Sequence, residues 1–237
     1  MPAFDRRTLR HWRDTALDLV FPPQCVACRR GGAHLCEACI AEFVPAAGSR
    51  CQRCWTLGRA SLCDRCRDDA PAFDTRRAGF VFQTAVRDAV LALKYQGMSS
   101  VGSPLVALIR PALVFPAEEV PDLVSAVPMS GARRRRRGYN QAEVLGRLLA
   151  RRLQIPFDGE VLRRVGAQPQ QARQPNLAAR QANVRYAFRA AAGQVRGRSV
   201  LVVDDVTTSG ATLDACARAL REAGAIRVAT WALAIED

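Results

Sequence analysis

The sequence predicts an α/β domain with a mainly parallel sheet flanked by helices, preceded by a small metal-binding module. Short apolar strands alternate with amphipathic helices over about 160 residues, which is the pattern of βα units. The segment Ser199–Val203 is apolar after its first residue, as expected of a strand buried on both faces. Four Cys-x-x-Cys pairs near the N-terminus predict the metal module.

The composition is that of a soluble globular protein. Of the 237 residues, 49% are hydrophobic and 24% are charged, which excludes a disordered or low-complexity chain. No apolar stretch reaches the roughly 18–20 residues needed to span a bilayer. The N-terminus holds Asp5, Asp14 and Asp18 among its basic residues and lacks a small-residue cleavage site. We therefore expect no secretory signal, no membrane insertion and a cytoplasmic location.

The net charge of +13 is concentrated in one part of the chain. Residues 131–200 carry 16 arginines and three acidic residues, which equals the excess of the whole chain. This concentration favours a polyanionic partner, such as a phosphorylated small molecule, a pyrophosphate or a nucleic acid; the alternative is a solvated surface helix. The basic residues are 34 arginines and one lysine, Lys94. Either Lys94 stands where arginine would fail, or the excess of arginine reflects coding bias.

Eight of the nine cysteines form four Cys-x-x-Cys pairs. The pairs are Cys25 and Cys28, Cys36 and Cys39, Cys51 and Cys54, and Cys63 and Cys66. Each pair places two thiolates on one side of a tight turn, and two pairs complete a tetrahedral shell for Zn²⁺. The short gaps of seven and eight residues favour two sequential sites, but an interleaved pairing of the first pair with the third stays open. The cytoplasm disfavours disulfides, and paired knuckles favour zinc over iron–sulfur clusters.

The cysteines predict a double zinc ribbon over residues 23–70. Because this stretch holds few large apolar residues, two structural Zn²⁺ ions would supply its folding free energy. His34 lies between two pairs, but four cysteines already fill each shell, so we interpret it as a bystander. Cys216 lies in a helical segment and is predicted to be core. Residues 1–22 are predicted to form an amphipathic helix ended by prolines.

The elements of the α/β domain follow from apolar periodicity and from glycines that end helices. They are strand Ala78–Phe82, helices Thr84–Tyr95 and Gly102–Val114, strand Leu123–Val127, helix Gln141–Leu153, strand Ser199–Val203, helix Ala211–Ala223 and strand Arg227–Ala234. Ligands of parallel sheets bind beyond the carboxyl ends of the strands, so the loops after Val127 and Val203 are expected to carry the chemistry.

The segment after Val203 combines two carboxylates with an anion-binding turn. Asp204 and Asp205 end a buried strand, three hydroxyl residues follow, and Gly210 precedes a helix. A helix N-terminus presents free backbone N–H groups, and glycine lets the backbone close around an anion. The carboxylates suit sugar hydroxyls or a magnesium shell. No lysine follows the glycine, so the segment is not a Walker P-loop.

This segment resembles the signature of type I phosphoribosyltransferases, which bind phosphoribosyl pyrophosphate (PRPP). The resemblance implies that Asp204 and Asp205 approach the ribose hydroxyls, with Mg²⁺ accompanying PRPP. It further implies that the following loop holds the 5′-phosphate. The residues of that loop are Val206, Thr207, Thr208, Ser209, Gly210, Ala211 and Thr212. The alternative is a strand–turn–helix whose hydroxyl residues only cap the helix.

The wider chain, roughly residues 8–235, resembles the ComF family, in which a cysteine-rich ribbon precedes a phosphoribosyltransferase-like domain. The shared motifs, in chain order, are Phe21–Cys28, Leu93–Gly97, Val127–Pro128, Arg137–Ala142, Gln181–Arg185 and the signature itself. The resemblance implies a type I phosphoribosyltransferase-like fold over residues 76–237.

The resemblance also assigns parts to the remaining motifs. The loop Met129–Asn140, with arginines from Arg133 to Arg137, would bind pyrophosphate through fork-shaped donors. Five consecutive arginines cannot all face one ligand, and Arg137 beside Gly138 is the strongest candidate. Lys94 either reaches a phosphate or caps its own helix. The segment Pro169–Phe188 lies where these enzymes keep a mobile loop.

Three classes of function stay open at this stage. The first is a transferase that uses PRPP and an unidentified acceptor, since no residue pattern names one. The second is a PRPP- or nucleotide-binding adaptor on a retained fold. The third is a single-stranded DNA-handling factor, because the ComF family is linked to natural transformation, although few aromatic residues accompany the arginines. We favour a PRPP-binding domain that works in or beside the DNA-uptake machinery.

Overall fold

The computed structural model describes residues 22–58, 61–95, 99–109, 114–115, 119–165 and 187–237. The predicted N-terminal helix, except for its last residue, lies outside these ranges. So does most of the predicted mobile loop between residues 169 and 188.

The described strands form a parallel sheet and a short antiparallel hairpin. In chain order they are β1 Thr75–Val81, β2 Leu123–Ala126, β3 Leu162–Arg164, β4 Phe188–Ala190, β5 Ser199–Thr207 and β6 Arg227–Ile235. The sheet has the order β1-β6-β5-β2 with every pairing parallel, and β3 pairs with β4. The predicted parallel α/β architecture is confirmed.

The described helices flank this sheet. They are α1 Glu37–Ala41, α2 Asp64–Asp68, α3 Thr84–Tyr95, α4 Gly102–Ala107, α5 Gly131–Arg137, α6 Gln141–Leu153, α7 Ala192–Val195 and α8 Ala211–Glu222, with a 3₁₀ turn at Ser99–Val101. Within the described ranges, none of them has the length and apolar character that crossing a bilayer requires.

The boundaries of α3 and α6 match the prediction, and the other predicted boundaries differ by at most one residue except at the end of α4, the start of β1 and the end of β5. Strand β5 was predicted to end at Val203 but continues to Thr207, because this stretch stays paired with β6, so Asp204 and Asp205 lie in the strand and not in a loop after it. The predicted helix Gly102–Val114 ends at Ala107, because Pro111 would clash with the carbonyl four residues earlier. Strand β1 begins three residues before the predicted start and takes in Arg76 and Arg77, both of which are buried. Sequence reasoning excluded them because buried arginines need partners from elsewhere in the fold.

Both faces of the sheet are covered. On β5, Leu201 and Val203 point into a core that includes residues of α3, α4 and α6. Val200 and Val202, which alternate with them, point into a second core that includes residues of α8 and of the hairpin. This alternation places helices on both sides of β5 and explains why the strand is apolar from Val200 to Val203.

The eight paired cysteines form two clusters in sequential order. Cys25, Cys28, Cys36 and Cys39 form the first, and Cys51, Cys54, Cys63 and Cys66 form the second; within each, all sulfurs lie within 4.8 Å of one another. The Sγ atoms of Cys28 and Cys36 are 3.5 Å apart, and those of Cys54 and Cys63 are 3.6 Å apart. A tetrahedral zinc site with Zn–S bonds of about 2.3 Å separates its sulfurs by about 3.8 Å, so both clusters fit structural zinc. His34 belongs to neither cluster, and Cys216 is buried in the second core.

The ribbon module covers the edge strand of the sheet. Val81 N donates to Val44 O, Ala46 N to Gly79 O and Arg76 N to Arg53 O, so ribbon backbone satisfies the open side of β1. The first cysteine cluster packs into the core on the α3 face, and the second packs into the core on the α8 face. The module therefore straddles the sheet edge and contributes to both cores.

The sequential grouping predicts how paired substitutions change the zinc content. Cys25→Ser/Cys36→Ser places both changes in the first cluster and is expected to leave about one zinc per chain. Cys25→Ser/Cys63→Ser places one change in each cluster and is expected to remove nearly all zinc, because a structural site seldom survives with three thiolates. Elemental analysis of the purified proteins measures both values.

Interleaved sites would give a different result. There, Cys25 and Cys36 belong to different sites, so the first double variant would lose both ions. The wild-type protein, at two zinc ions per chain, is the reference.

Candidate functional site

The candidate site is a cavity at the carboxyl ends of β2 and β5. Its volume is about 360 Å³. One wall carries acidic and hydroxyl residues from the β5–α8 segment, and the facing elements supply basic residues. The lining includes Lys94, Pro128, Met129, Ser130, Arg133, Arg136, Arg137, Asn140, Gln141, Arg164, Asp204, Asp205 and Thr212. A cavity with this lining is suited to a polyanion that also carries hydroxyl groups.

Asp205 is buried and its carboxylate is fully engaged. Its Oδ1 accepts a hydrogen bond of 2.7 Å from Val206 N, and its Oδ2 accepts one of 2.7 Å from Gln141 Nε2. Lys94 Nζ lies 3.4 Å from the same Oδ2. Lys94 is thus held at the cavity wall by a carboxylate. These contacts tie β5 to α3 and α6.

Asp204 lies beside this network, but its carboxylate has fewer partners than that of Asp205. Its Oδ1 accepts a hydrogen bond of 2.8 Å from Asp205 N, and among the described residues its Oδ2 has no hydrogen-bond donor. Burial, together with the neighbouring charge of Asp205, raises the pKa of Asp204 to about 8. Of the two predicted acids, Asp204 is the one whose carboxylate has free capacity toward the cavity.

The loop between β5 and α8 has the form expected of an anion-binding turn. Thr208 and Ser209 are exposed, and Gly210 takes a left-handed conformation with φ of 80° directly before α8. Thr207 is buried, and its hydroxyl accepts a hydrogen bond from Arg76 Nη1. Thr212, in the first turn of α8, lines the cavity. Residues 206–211 do not line the cavity, and of these only Thr208 and Ser209 are exposed.

The arginine-rich segment is a helix, so the prediction of a loop over Met129–Asn140 is wrong. The Ser130 hydroxyl caps α5 by accepting from Arg133 N, and Gly138, at φ of 82°, ends it. Arginine is a good helix former, and a consecutive run therefore winds around the axis instead of pointing one way. Arg133, Arg136 and Arg137, at the spacing i, i+3, i+4, line the cavity.

Three residues of the arginine segment have contacts or roles of their own. The Arg137 guanidinium lies over the ring of Tyr95, 4.7 Å from its centroid. Arg134 turns away from the main cavity toward Glu143, at 3.4 Å. Gly138 does not line the cavity and serves as the end of α5.

Sequence reasoning assigned no role to three residues that shape this region. Gln141 bonds Asp205, Arg164 on β3 lines the cavity, and Arg76 bonds the β5–α8 loop. Gln141 lies within the Arg137–Ala142 motif. Its position at the start of a predicted helix was the sequence feature that could have identified it. No local signal distinguishes Arg76 or Arg164 among 34 arginines.

Two family models match the chain. The phosphoribosyl transferase domain model matches residues 139–236, and the double zinc ribbon domain model matches residues 16–67. In the search of solved structures, glutamine PRPP amidotransferase from B. subtilis aligns at 26% identity and a TM-score of 0.35. That alignment covers 56% of this chain and 25% of the amidotransferase, so the chain spans a quarter of that protein.

Curated relatives match along nearly their whole length. DNA utilization protein YhgH of Salmonella typhi is 30% identical over 227 residues, which cover 91% of this chain and 98% of that protein. YhgH of Escherichia coli K12 is 29% identical over the same shares. Competence protein F of Haemophilus influenzae is 28% identical over 226 residues, covering 89% of this chain and 96% of that protein. With a double zinc ribbon before a phosphoribosyltransferase-like domain, the chain belongs to the ComF family, which includes competence protein F and YhgH.

Proposed function

We propose that this protein binds PRPP with Mg²⁺ at the carboxyl edge of its sheet. The observation that carries the proposal is the two-sided cavity. Asp204 and Thr212 lie on one wall, and the arginine face of α5 lies on another. PRPP carries phosphate groups at both ends of a ribose with free hydroxyls, so its charges and hydroxyls complement both walls.

In this proposal each group of the ligand meets one part of the chain. The 5′-phosphate binds at the Thr208–Thr212 turn, where backbone N–H groups and hydroxyls donate. The ribose hydroxyls donate to Asp204, while Asp205 positions Lys94 and Gln141. The pyrophosphate accepts hydrogen bonds from Arg133, Arg136 and Arg137. A Mg²⁺ ion held near Asp204 would neutralise charge on the pyrophosphate.

Transfer would break the bond between the anomeric carbon and the pyrophosphate oxygen and form a bond from that carbon to an acceptor. The electron pair of the broken bond leaves with pyrophosphate, whose charge the arginines stabilise. Release of pyrophosphate in the presence of candidate acceptors separates a transferase from a binding adaptor. The names of the relatives, DNA utilization protein and competence protein, favour a role in or beside the uptake or use of DNA.

Single-stranded DNA binding is a second candidate function. The observation that favours it is the set of exposed arginines on the outer surface of α5 and α6. These are Arg134, Arg135, Arg147, Arg151 and Arg152. Such arginines would contact phosphates without reading bases, so the affinity would fall steeply with salt concentration. Binding of PRPP in a partly enclosed site would respond less to salt.

The acid pair provides the first test. Calorimetric titration of the zinc-loaded protein with PRPP and Mg²⁺ is expected to show saturable binding. Asp204→Asn/Asp205→Asn is expected to weaken it at least tenfold, because hydrogen bonds to charged groups contribute about 1.5–3 kcal/mol each. Glu222→Gln, which removes an exposed carboxylate from the end of α8, is the matched control. A folded, zinc-replete wild-type protein without PRPP binding would contradict the proposal.

The arginine helix provides the second test. Arg133→Gln/Arg137→Gln is expected to weaken pyrophosphate binding at least tenfold, because both side chains line the cavity. Arg134→Gln/Arg135→Gln removes the same charge from the same helix and is expected to change that affinity less than threefold. Competition calorimetry with pyrophosphate measures both. Equal losses in the two variants would show that only the overall charge of the helix matters.

The raised pKa of Asp204 predicts a stability cost that depends on pH. Because the pKa of Asp204 in the folded protein lies above the usual 3.8, folding favours the protonated carboxyl group. The resulting stability is fully present below pH 3.8 and is lost progressively as the pH rises to about 8. In magnesium-free buffer, Asp204→Asn is expected to be more stable than the wild type at pH 8. The difference in unfolding free energy should grow by up to about 1.4 kcal/mol per pH unit between pH 6 and 8. Denaturant titrations measure it, and a difference independent of pH would refute this account.

A further inference from the structure

Arg76 is buried between the second cysteine cluster and the anion-binding loop. Only 1% of its surface is exposed. On the ribbon side, its Nε donates to Cys54 O and its Nη2 lies 3.4 Å from Thr56 Oγ1. On the loop side, its Nη1 donates to Thr207 Oγ1 at 3.1 Å and to Thr208 O at 3.0 Å. One side chain thus bonds a zinc knuckle and the candidate phosphate loop.

The positive charge of Arg76 is compensated by a group of the ribbon module. No carboxylate within the described ranges forms a salt bridge with it, and a buried guanidinium without a counter-charge is costly. The second cysteine cluster supplies one, since four thiolates around Zn²⁺ carry a net charge of about −2. The Thr56 hydroxyl, which contacts Arg76, also lies 3.2 Å from Cys54 Sγ.

One further contact joins the same half of the ribbon to the loop, and another joins the segment after the ribbon to α8. Arg65, which lies between Cys63 and Cys66, donates from Nη1 to Ser209 O at 3.2 Å. Ala72 N donates to Asp214 Oδ1, in the first turns of α8, at 2.6 Å. The first cluster has no such link, since no hydrogen bond in the described structure joins residues 22–43 to residues 207–214.

The loop conformation also depends on Arg76 sterically. A Cβ at residue 210 would lie 2.4 Å from Arg76 Nη1, so only glycine lets the loop close over the guanidinium. The three contacted carbonyl and hydroxyl groups point toward the ribbon. Ala211 N donates to Ser209 Oγ at 3.4 Å, and within the described ranges no hydrogen bond uses the N–H groups of Thr208, Ser209 and Gly210.

We propose that the second zinc site, through Arg76 and Arg65, holds the anion-binding loop in its binding conformation, whereas the first zinc site acts only in folding. Arg76 and Arg65 are positioning residues, and the proposal rests on the proposed function in assigning a phosphate to this loop. Loss of the second zinc would loosen the loop and weaken phosphate binding, even in a protein whose sheet stays folded.

Arg65 offers the mildest test because its side chain is exposed. Arg65→Ala is expected to weaken PRPP–Mg²⁺ binding at least threefold and to raise hydrogen exchange of residues 208–212, with zinc content unchanged. Arg67→Ala is the matched control, since Arg67 lies on the same helix and pairs with Asp64 instead of the loop. Arg67→Ala is expected to leave both quantities within twofold of the wild type. Equal effects of the two variants, or no effect of Arg65→Ala on either quantity, would overturn the role of Arg65.

The zinc dependence is tested with Cys63→Ser in the second cluster and Cys28→Ser in the first. Each is expected to lose about one zinc. Exchange of residues 208–212 should rise at least tenfold in Cys63→Ser and clearly less in Cys28→Ser, relative to exchange of β5 in the same protein. In the Arg65→Ala/Arg76→Met background, Cys63→Ser should add little further exchange, because both side-chain links are already broken. If that background does not fold, Cys63→Ser should add less exchange in the Arg65→Ala background than in the wild type, because only the Arg76 link remains there.

The outcomes separate this inference from the proposed function. Loop protection that depends on the second zinc, in a protein that does not bind PRPP, would support the coupling and refute PRPP binding. PRPP binding with a loop equally affected by both cysteine variants would support the proposed function and overturn the coupling.

Discussion

Asp205 is the residue at which three elements of the site meet. Its two carboxylate oxygens accept from Val206 N and Gln141 Nε2, and its charge pairs with Lys94. A buried carboxylate is tolerated only when its oxygens are satisfied, so the ends of β5, α3 and α6 are held in one arrangement. That arrangement fixes the cavity and places Asp204 beside a second negative charge. The raised pKa of Asp204 follows from this closeness and from burial.

The ribbon module lies along the β1 edge of the same sheet. It closes the free edge of β1 and packs into both cores, so residues of the ribbon and of the sheet share the same buried clusters. Arg50, only 4% exposed, extends this connection through a bidentate pair with Asp237, beyond the end of β6. The anion-binding loop contacts Arg65 and Arg76 on the side of the second cysteine cluster, and Thr212, which follows it, lines the cavity with the α5 arginines.

The sequence predictions were most accurate where an element depends on residues close to it in the chain. The boundaries of α3 and α6 were correct, because helix capping and apolar periodicity are local properties. The arginine run was wrongly taken for a loop, because the family resemblance implies a pyrophosphate-binding loop at this place. Its helix propensity, the Ser130 cap and Gly138 all indicated a helix. Arg76 and Arg77 were left outside β1, because their burial depends on the ribbon, which lies elsewhere in the sequence.

Local signals in the residue order are enough to identify four metal-binding knuckles, the buried strands, and two acids followed by a glycine turn. These features depend on spacing along the chain, which the residue order records directly. The packing of the chain establishes which knuckles share a site, which three of five arginines face the cavity, and which acid has a free oxygen. It also decided that Arg76 joins the ribbon to a loop about 130 residues later. Such outcomes depend on which groups come close after packing, because the free energy of a buried charge is set by its neighbours in space.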